Sequence, residues 1–216
     1  GGGAVNGNEI KAVQIGGPSG GCLPASKFDL PIDFDALIEA GSMVGSGGMV
    51  VMDEQSCMVD VAKYFLKFLQ DESCGKCVPC RIGIDRMLEI VTDITEGRGK
   101  PAHIPLLEDL SDTISQTALC GLGKTAPNPV LTTLRYFRSE YDAHIMDRRC
   151  QAGVCKALIR YSIDPEKCNG CGVCVRVCPQ KAINGKKKVA HVIDVELCEK
   201  CGICRSECKF GAVLVS

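Results

Sequence analysis

Residues 168–179 read Cys168-Asn169-Gly170-Cys171-Gly172-Val173-Cys174-Val175-Arg176-Val177-Cys178-Pro179, a C-x2-C-x2-C-x3-C run that Cys198, Cys201, Cys204 and Cys208 repeat further along the chain. A third C-x2-C-x2-C stands at Cys74, Cys77 and Cys80. Cysteines at this spacing turn their thiolates into one shared concavity. Near neighbours are poorly placed for disulfides with each other, because Cα separation and Cβ direction must both be right. Zinc sites take their ligands in pairs across a long gap, so two zinc ribbons would leave the middle cysteine of each triplet idle. Three cysteines at this spacing instead wrap one face of a cubic iron–sulfur cluster, with a fourth ligand arriving from elsewhere.

The doubled run is that of a two-cluster bacterial ferredoxin, in which the fourth cysteine of each run ligates the other cluster. One [4Fe–4S] cluster is therefore assigned to Cys168, Cys171, Cys174 and Cys208, and a second to Cys198, Cys201, Cys204 and Cys178. The exchange sews the two halves into one unit. Gly170, Gly172 and Gly202 let backbone N–H groups approach the cluster sulfurs, which raises the reduction potential. Cys208-Lys209 departs from the usual Cys-Pro. It loses a rigid turn and adds a positive charge that weakly favours the reduced state. Val192, Ile193 and Val195, with residues 212–215, are expected to form strands flanking the cluster loops.

Upstream, residues 56–148 show helical periodicity. Apolar residues recur at Met58, Val61, Ala62, Phe65, Leu66 and Leu69; at Ile84, Met87, Leu88, Val91 and Ile94; and at Ile104, Leu107, Leu110 and Ile114. Pro105 is tolerable in the first turn of the third of these helices. A fourth helix starts near Pro129 and carries Val130, Leu131, Leu134 and Phe137, and short connections predict an antiparallel four-helix bundle. The Cys74–Cys80 loop falls where one helix ends and the next begins, so N–H groups at the helix start face an anionic cluster. Cys120 is the best-placed fourth ligand; Cys57 and Cys22 compete, but their context suits buried structural cysteines. Residues 1–55 are glycine-rich, with β-type runs at 11–15 and 49–52. Neither Gly1-Gly2-Gly3 nor the 16–21 GGPSGG run matches a phosphate-binding G-x-G-x-x-G turn, so both are assigned to tight β turns.

Twelve cysteines serve three clusters, leaving Cys22, Cys57, Cys150 and Cys155. Cys150 and Cys155 lie in a linker, 149–161, and His144 precedes them. With Cys57, which opens the first bundle helix, they make a candidate Cys3His zinc site able to pin the C-terminal segment to the bundle or act as a hinge. The bland alternative is a surface histidine and two cysteines without a ligand role. His103 and His191 read as ordinary structural or solvated histidines.

The strings ESCGKCVPCR (72–81) and LCGLGKTAPNPV (119–130), with GGPSGGC (16–22), resemble the C-terminal half of the NADH- and FMN-binding flavoprotein (diaphorase) subunits of respiratory complex I. The appended two-cluster segment makes the chain more similar to the relatives of that flavoprotein in NAD(P)-linked [FeFe]-hydrogenases, the electron-bifurcating type included. The resemblance implies that Cys74, Cys77, Cys80 and Cys120 hold a [4Fe–4S] cluster taking electrons from FMN, and that 1–55 ends a ubiquitin-like SLBB domain. It implies FMN and NAD(P) in the parent chain but not in this segment, whose flavin and nucleotide loops would lie upstream. It also implies partner subunits, a thioredoxin-like [2Fe–2S] protein and a catalytic [FeFe] protein, and soluble ferredoxin as a further partner.

The expected architecture is α+β: a truncated SLBB-like β piece at 1–55, a four-helix iron–sulfur bundle at 56–148, the linker at 149–161 and a ferredoxin-like 162–216. The chain of 216 residues opens without Met or a signal-peptide layout and is expected to be a fragment. A formal charge of −1 gives no basic footprint for nucleic acid. Three oxidised clusters with their thiolates take it to about −7. Lys186-Lys187-Lys188 reads as a solvated hairpin tip in preference to a docking patch for an acidic ferredoxin. No apolar run is long enough to span a bilayer, and thiolate clusters point to the cytoplasm of an anaerobe. No residue pattern suggests a catalytic site. An electron relay in a bifurcating hydrogenase is the expected function; the same module in an NAD-linked formate dehydrogenase, or a non-redox metal-stabilised scaffold, are the alternatives.

Overall fold

The structure, a computed structural model, describes residues 3–4 and 7–216. Gly1 and Gly2, expected in a tight turn, lie outside the described residues. The chain forms two compact units, Gly1–Ala157 and Leu158–Ser216. The segment read as a linker is therefore divided: 149–157 folds with the first unit, and Tyr161–Ile163 is a strand of the second.

The first unit opens with a three-stranded antiparallel sheet of order β2-β1-β3, from β1 (Ile10–Ile15), β2 (Gly21–Pro24) and β3 (Met49–Asp53). The GGPSGG run makes the β1–β2 turn, as its glycines suggested. Between β2 and β3 lies a short helix not foreseen in the sequence, α1 (Phe34–Glu39), whose N-cap Asp33 accepts the Ala36 N–H at 2.8 Å.

Six further helices follow in this unit: α2 (Met58–Asp71), α3 (Val78–Thr95), α4 (His103–Thr117), α5 (Gly121–Thr125), α6 (Asn128–Tyr136) and α7 (Arg138–Ile145). The apolar stripes are the buried ones. Buried residues include Ala62, Leu66 and Leu69 on α2, Ile84, Met87, Val91 and Ile94 on α3, and Leu107 and Ile114 on α4, with α2 and α4 each packed on α3. Met58 and Phe65 of α2 pack with Ala12, Cys22 and Met52 of the sheet. Each such side chain contributes about 1.5–3 kcal/mol on burial.

The expected fourth helix is two helices. Its ladder breaks at Phe137 (φ −128°, ψ 34°), and α7 starts on the next residue in a new direction. Tyr141 of α7 is fully buried and its hydroxyl lies 2.8 Å from Thr133 Oγ1 of α6, which pins the two across the break. The sheet docks on α6, where Thr132 Oγ1 accepts the Cys22 N–H at 2.9 Å. Cys22 is fully buried in that contact, and burial pushes its thiol up to about 12, as befits a structural cysteine.

The second unit holds two small antiparallel ribbons, β4 (Tyr161–Ile163) with β7 (Val213–Val215) and β5 (Ile183–Asn184) with β6 (Val192–Ile193), and two short helices, α8 (Val173–Val177) and α9 (Ile203–Ser206). Each ribbon pairs one repeat with the other, so neither repeat closes alone. Helices α8 and α9 are entered through Gly172 (φ +78°) and Gly202 (φ +79°), left-handed positions that favour glycine. The Lys186–Lys188 triplet is exposed in the β5–β6 connection, as expected of a hairpin tip.

Candidate metal centres

The Cys74-x2-Cys77-x2-Cys80 loop joins α2 to α3, with Cys77 as the N-cap of α3 and Pro79 in its first turn. Two features draw Cys120 to the triplet. The Cys77 thiol is held below its ordinary value by the backbone N–H groups of Leu119 and Cys80, so the 118–120 turn and the start of α3 aim donors at one sulfur. Gly123 of α5 also lies against Cys80; a Cβ there would approach the Cys80 Sγ to 3.6 Å and the Ala118 Cβ to 2.7 Å. Burial raises the Cys80 thiol, Ser73 lowers it through a 3.3 Å contact, and the charges of Cys77, Cys120 and Cys74 raise it again. Four thiols crowded at a helix start, repelling one another as thiolates, suit a cationic iron–sulfur core.

In the second unit the exchanged ligand sets appear as two separate hollows. One is lined by Cys168, Cys171, Cys174 and Cys208 with His191 and Ile163. The other is lined by Cys198, Cys201, Cys204 and Cys178 with Tyr161 and Ile183. Burial raises the Cys204 thiol to about 11, helped by the neighbouring Cys198 and Cys201. The donor set in each hollow is four sulfurs in an apolar cup, and it fits a [4Fe–4S] core.

The fourth cluster of side chains is the densest. Cys57, His144, Cys150 and Cys155 are all buried, and their ligating atoms lie within 4.8 Å of one another. His144 is 0% exposed, which overturns the alternative of a surface helix residue. Its Nδ1–H donates to the Glu140 carbonyl at 2.7 Å, leaving the Nε2 lone pair 3.4 Å from both the Cys57 and the Cys155 sulfur. Cys57 Sγ and Cys155 Sγ are 3.7 Å apart, far beyond a disulfide bond. A tetrahedral site with metal–sulfur bonds of about 2.3 Å and a metal–nitrogen bond of about 2.0 Å has edges of about 3.8 Å and 3.5 Å. The three edges among Cys57, His144 and Cys155 match those lengths, and Cys150 Sγ lies within 4.8 Å of each.

Backbone geometry explains the convergence. The chain leaves α7 through Arg148 in the left-handed region (φ +52°), and the Arg149 N–H donates back to the Ala143 carbonyl at 3.1 Å, turning Cys150 under the helix. The N–H groups of Val154 and Cys155 then donate to Cys150 Sγ, each at 3.4 Å. Cys57 is the N-cap of α2 but makes no side-chain cap bond; Glu140 supplies it instead, its Oε2 accepting the Met58 N–H at 3.0 Å. Its Oε1 pairs with Lys11 Nζ at 2.7 Å, and Lys11 also donates to the Ser56 carbonyl. Glu140 thus fixes two of the four donors, Cys57 through its carboxylate and His144 through its carbonyl.

Protonation shows what the quartet wants. Burial disfavours the imidazolium of His144, but contacts with Cys150 and Cys57 outweigh it and hold the ring's proton up to about 10. Hydrogen bonds from Cys155 and Cys57 push the Cys150 thiol far below its usual range, while those from Cys150 and Cys57, with burial, push Cys155 far above it. Three sulfurs and one imidazole converging in a buried site have the donor chemistry that suits a divalent cation.

His191, which read as ordinary, is buried, with Nδ1 3.7 Å from Cys168 Sγ. His103 opens α4 with its Nδ1 buried and unpartnered among the described residues.

Residues 60–144 match the model of the NADH-ubiquinone oxidoreductase-F iron–sulfur binding region, and residues 161–184 and 191–214 match 4Fe–4S binding domains. The chain is 56% identical over 214 residues, 99% of its length and 44% of the relative's, to HndC of Solidesulfovibrio fructosivorans, a subunit of an NADP-reducing hydrogenase. It is 41% identical over 149 residues, 69% of its length and 35% of the relative's, to an F-type NADH-quinone oxidoreductase subunit of Rhizobium meliloti. A crystal structure of an NAD+-reducing [NiFe]-hydrogenase in the H2-reduced state superposes with a TM-score of 0.59 at 28% identity, over 65% of this chain and 24% of that one. The chain spans less than half the length of these relatives. Bundle, cysteine quartets and sequence likeness together place it in the family of iron–sulfur-bearing proteins to which HndC and the F-type subunits of NADH-quinone oxidoreductase belong, of which it is the iron–sulfur region.

Proposed function

We propose that this chain is the electron-relay segment of a flavin-dependent NAD(P)H oxidoreductase subunit in a multisubunit, electron-bifurcating hydrogenase. One observation carries the choice of hydrogenase. Likeness to the NADP-reducing hydrogenase protein HndC runs through the doubled ferredoxin motif, whereas likeness to the NADH-quinone oxidoreductase protein covers only 69% of the chain. In this reading Cys74, Cys77, Cys80 and Cys120 hold the cluster that exchanges electrons with FMN, and the two sets in the second unit extend or branch the path toward a thioredoxin-like [2Fe–2S] subunit, an [FeFe] subunit or soluble ferredoxin. The residues do no acid–base chemistry. They set spacing, exclude water and aim N–H donors at the cluster sulfurs, while the clusters themselves supply one-electron redox capacity.

The three-stranded sheet is, in the same reading, the end of an SLBB-like domain. Cys57, His144, Cys150 and Cys155 hold Zn2+. Four protein donors leave no open position, which marks a structural site. No helix among the described residues is long and apolar enough to cross a membrane, and a cytoplasmic setting in an anaerobe fits oxygen-sensitive clusters.

An EPR-monitored potentiometric titration of the anaerobically prepared chain tests the relay. Three [4Fe–4S] centres that reduce and reoxidise reversibly at low potential are expected. Clusters that never reduce, or reduce only with loss of iron, would make the chain a metal-stabilised scaffold.

A further inference from the structure

The two repeats of the second unit place a ring at the same step before their cysteine runs, Tyr161 before Cys168 and His191 before Cys198. Each ring lies in the hollow formed by the other repeat's triplet: Tyr161 with Cys198, Cys201 and Cys204, and His191 with Cys168, Cys171 and Cys174. The two hollows share this plan but differ in their donors: the Ala182 backbone N–H donates to Cys178 Sγ of the Cys198 set at 3.3 Å, and a side chain reaches a sulfur of the Cys168 set. His191 brings a nitrogen, Nδ1, to 3.7 Å from Cys168 Sγ, whereas no hydrogen bond joins Tyr161 to a cysteine sulfur among the described residues.

The seat for the imidazole is built. His191 is 4% exposed, so the ring is withdrawn from water. Gly185 lies flat against it; a Cβ at that position would come within 2.1 Å of the His191 Cδ2 and 2.7 Å of its Cγ. Any side chain at 185 would displace the ring. A cluster-bound Cys168 is a thiolate without a proton, so the imidazole must be the donor and its Nδ1 must carry the hydrogen. Reduction adds negative charge that spreads onto the cysteine sulfurs. An N–H aimed at one of them in a dry, low-dielectric hollow therefore stabilises the reduced state more than the oxidised one. Lys209, next to Cys208 of the same set, acts in the same direction.

We infer that His191 is a positioning residue whose Nδ1–H···Sγ bond to Cys168 makes the Cys168/Cys171/Cys174/Cys208 cluster more easily reduced than the same cluster without that donor. The inference rests on the cluster assignment proposed above and deepens it.

The test compares the wild-type chain with His191→Phe, His191→Gln and Tyr161→Phe, each checked for iron content and titrated with EPR detection. His191→Phe keeps an aromatic ring in the seat but removes the donor. It is expected to shift one cluster's reduction equilibrium about tenfold toward the oxidised form, about 59 mV for a one-electron couple, and to leave the other two in place. His191→Gln, which keeps an N–H donor, is expected to restore most of that shift, and Tyr161→Phe to move none. Should the phenyl variant lose iron, the glutamine variant decides: a near-wild-type midpoint supports the donor role. Midpoints unmoved in His191→Phe, or a full shift in His191→Gln at wild-type iron content, would overturn the inference and point to packing alone. Failure of the underlying assignment is distinguishable, because the wild-type chain itself would then lack reducible clusters.

Discussion

Cys208→Ser is expected to cost the second unit both of its clusters, lowering the iron content from about twelve to about four per chain. Cys208 belongs to the second run, yet it lines the hollow of Cys168, Cys171 and Cys174. Its loss opens that cluster, and little else holds the unit together. The regular structure of the unit amounts to strands of two and three residues and helices of five and four. Besides its cysteines, its buried side chains are few: Leu158, Ile159, Tyr161, Ala182, Ile183, His191, Ile193, Ala212 and Val213. A core of this size rarely supplies more than about 3–5 kcal/mol, so the unit depends on its metal staples. Both ribbons also pair one repeat with the other, so collapse of one repeat removes the partner strands of the second. The helical cluster of Cys74, Cys77, Cys80 and Cys120 has its own packed bundle and should survive with its EPR signal intact. Iron analysis and circular dichroism check this. A loss of only one cluster, with the other ferredoxin-type signal unchanged, would show that the repeats fold independently.

His144→Ala is expected to release the zinc and to lower the stability of the first unit by about 3–5 kcal/mol, near 10 °C in melting temperature. Structural zinc in an otherwise unfolded peptide contributes about 10–16 kcal/mol. The effect here is smaller because α2, α3 and α4 keep their apolar contacts without it. What the metal holds is the path from α7 through Cys150 and Cys155 and the start of α2 at Cys57. Losing it leaves three buried sulfurs repelling one another beside an emptied ring site. Glu140→Gln should fall between this variant and wild type. It retains the His144-facing carbonyl but weakens the Lys11 pair and the Met58 cap, so zinc is kept at saturation and lost faster to a chelator. Zinc content and thermal unfolding read both variants. An unchanged melting temperature after complete zinc removal would refute a structural role.

The proposed cluster ligands stand out in the sequence because their information is local: a thiolate every third residue needs no knowledge of the fold. Cys120 was read by elimination and from the resemblance of residues 119–130, and what supports it in the fold is the Leu119 N–H and Gly123, near in sequence but meaningful only once α5 packs on Cys80. The bundle helices showed in their periodicity. The break at Phe137 did not, since no proline or glycine marks it, and α7 was not told apart from the helix before it. Strands β4 and β5 have three and two residues, too few to show any alternation. Helix α1 had a local signal in the Asp33 cap, outweighed by the surrounding turn-forming residues. Glu140 carried none. It acts on Met58, and on Lys11 in β1, partners remote in sequence that only the tertiary fold brings together. His191 was within reach, because the repeat aligns it with Tyr161; what the sequence lacked was the Gly185 seat that turns the ring onto Cys168.

The most direct test of the relay is a metal count on the chain purified without oxygen. The account predicts about twelve irons, with matching acid-labile sulfide, and one zinc per chain. Far fewer irons, with zinc in their place or the sulfurs joined to one another as disulfides, would contradict it.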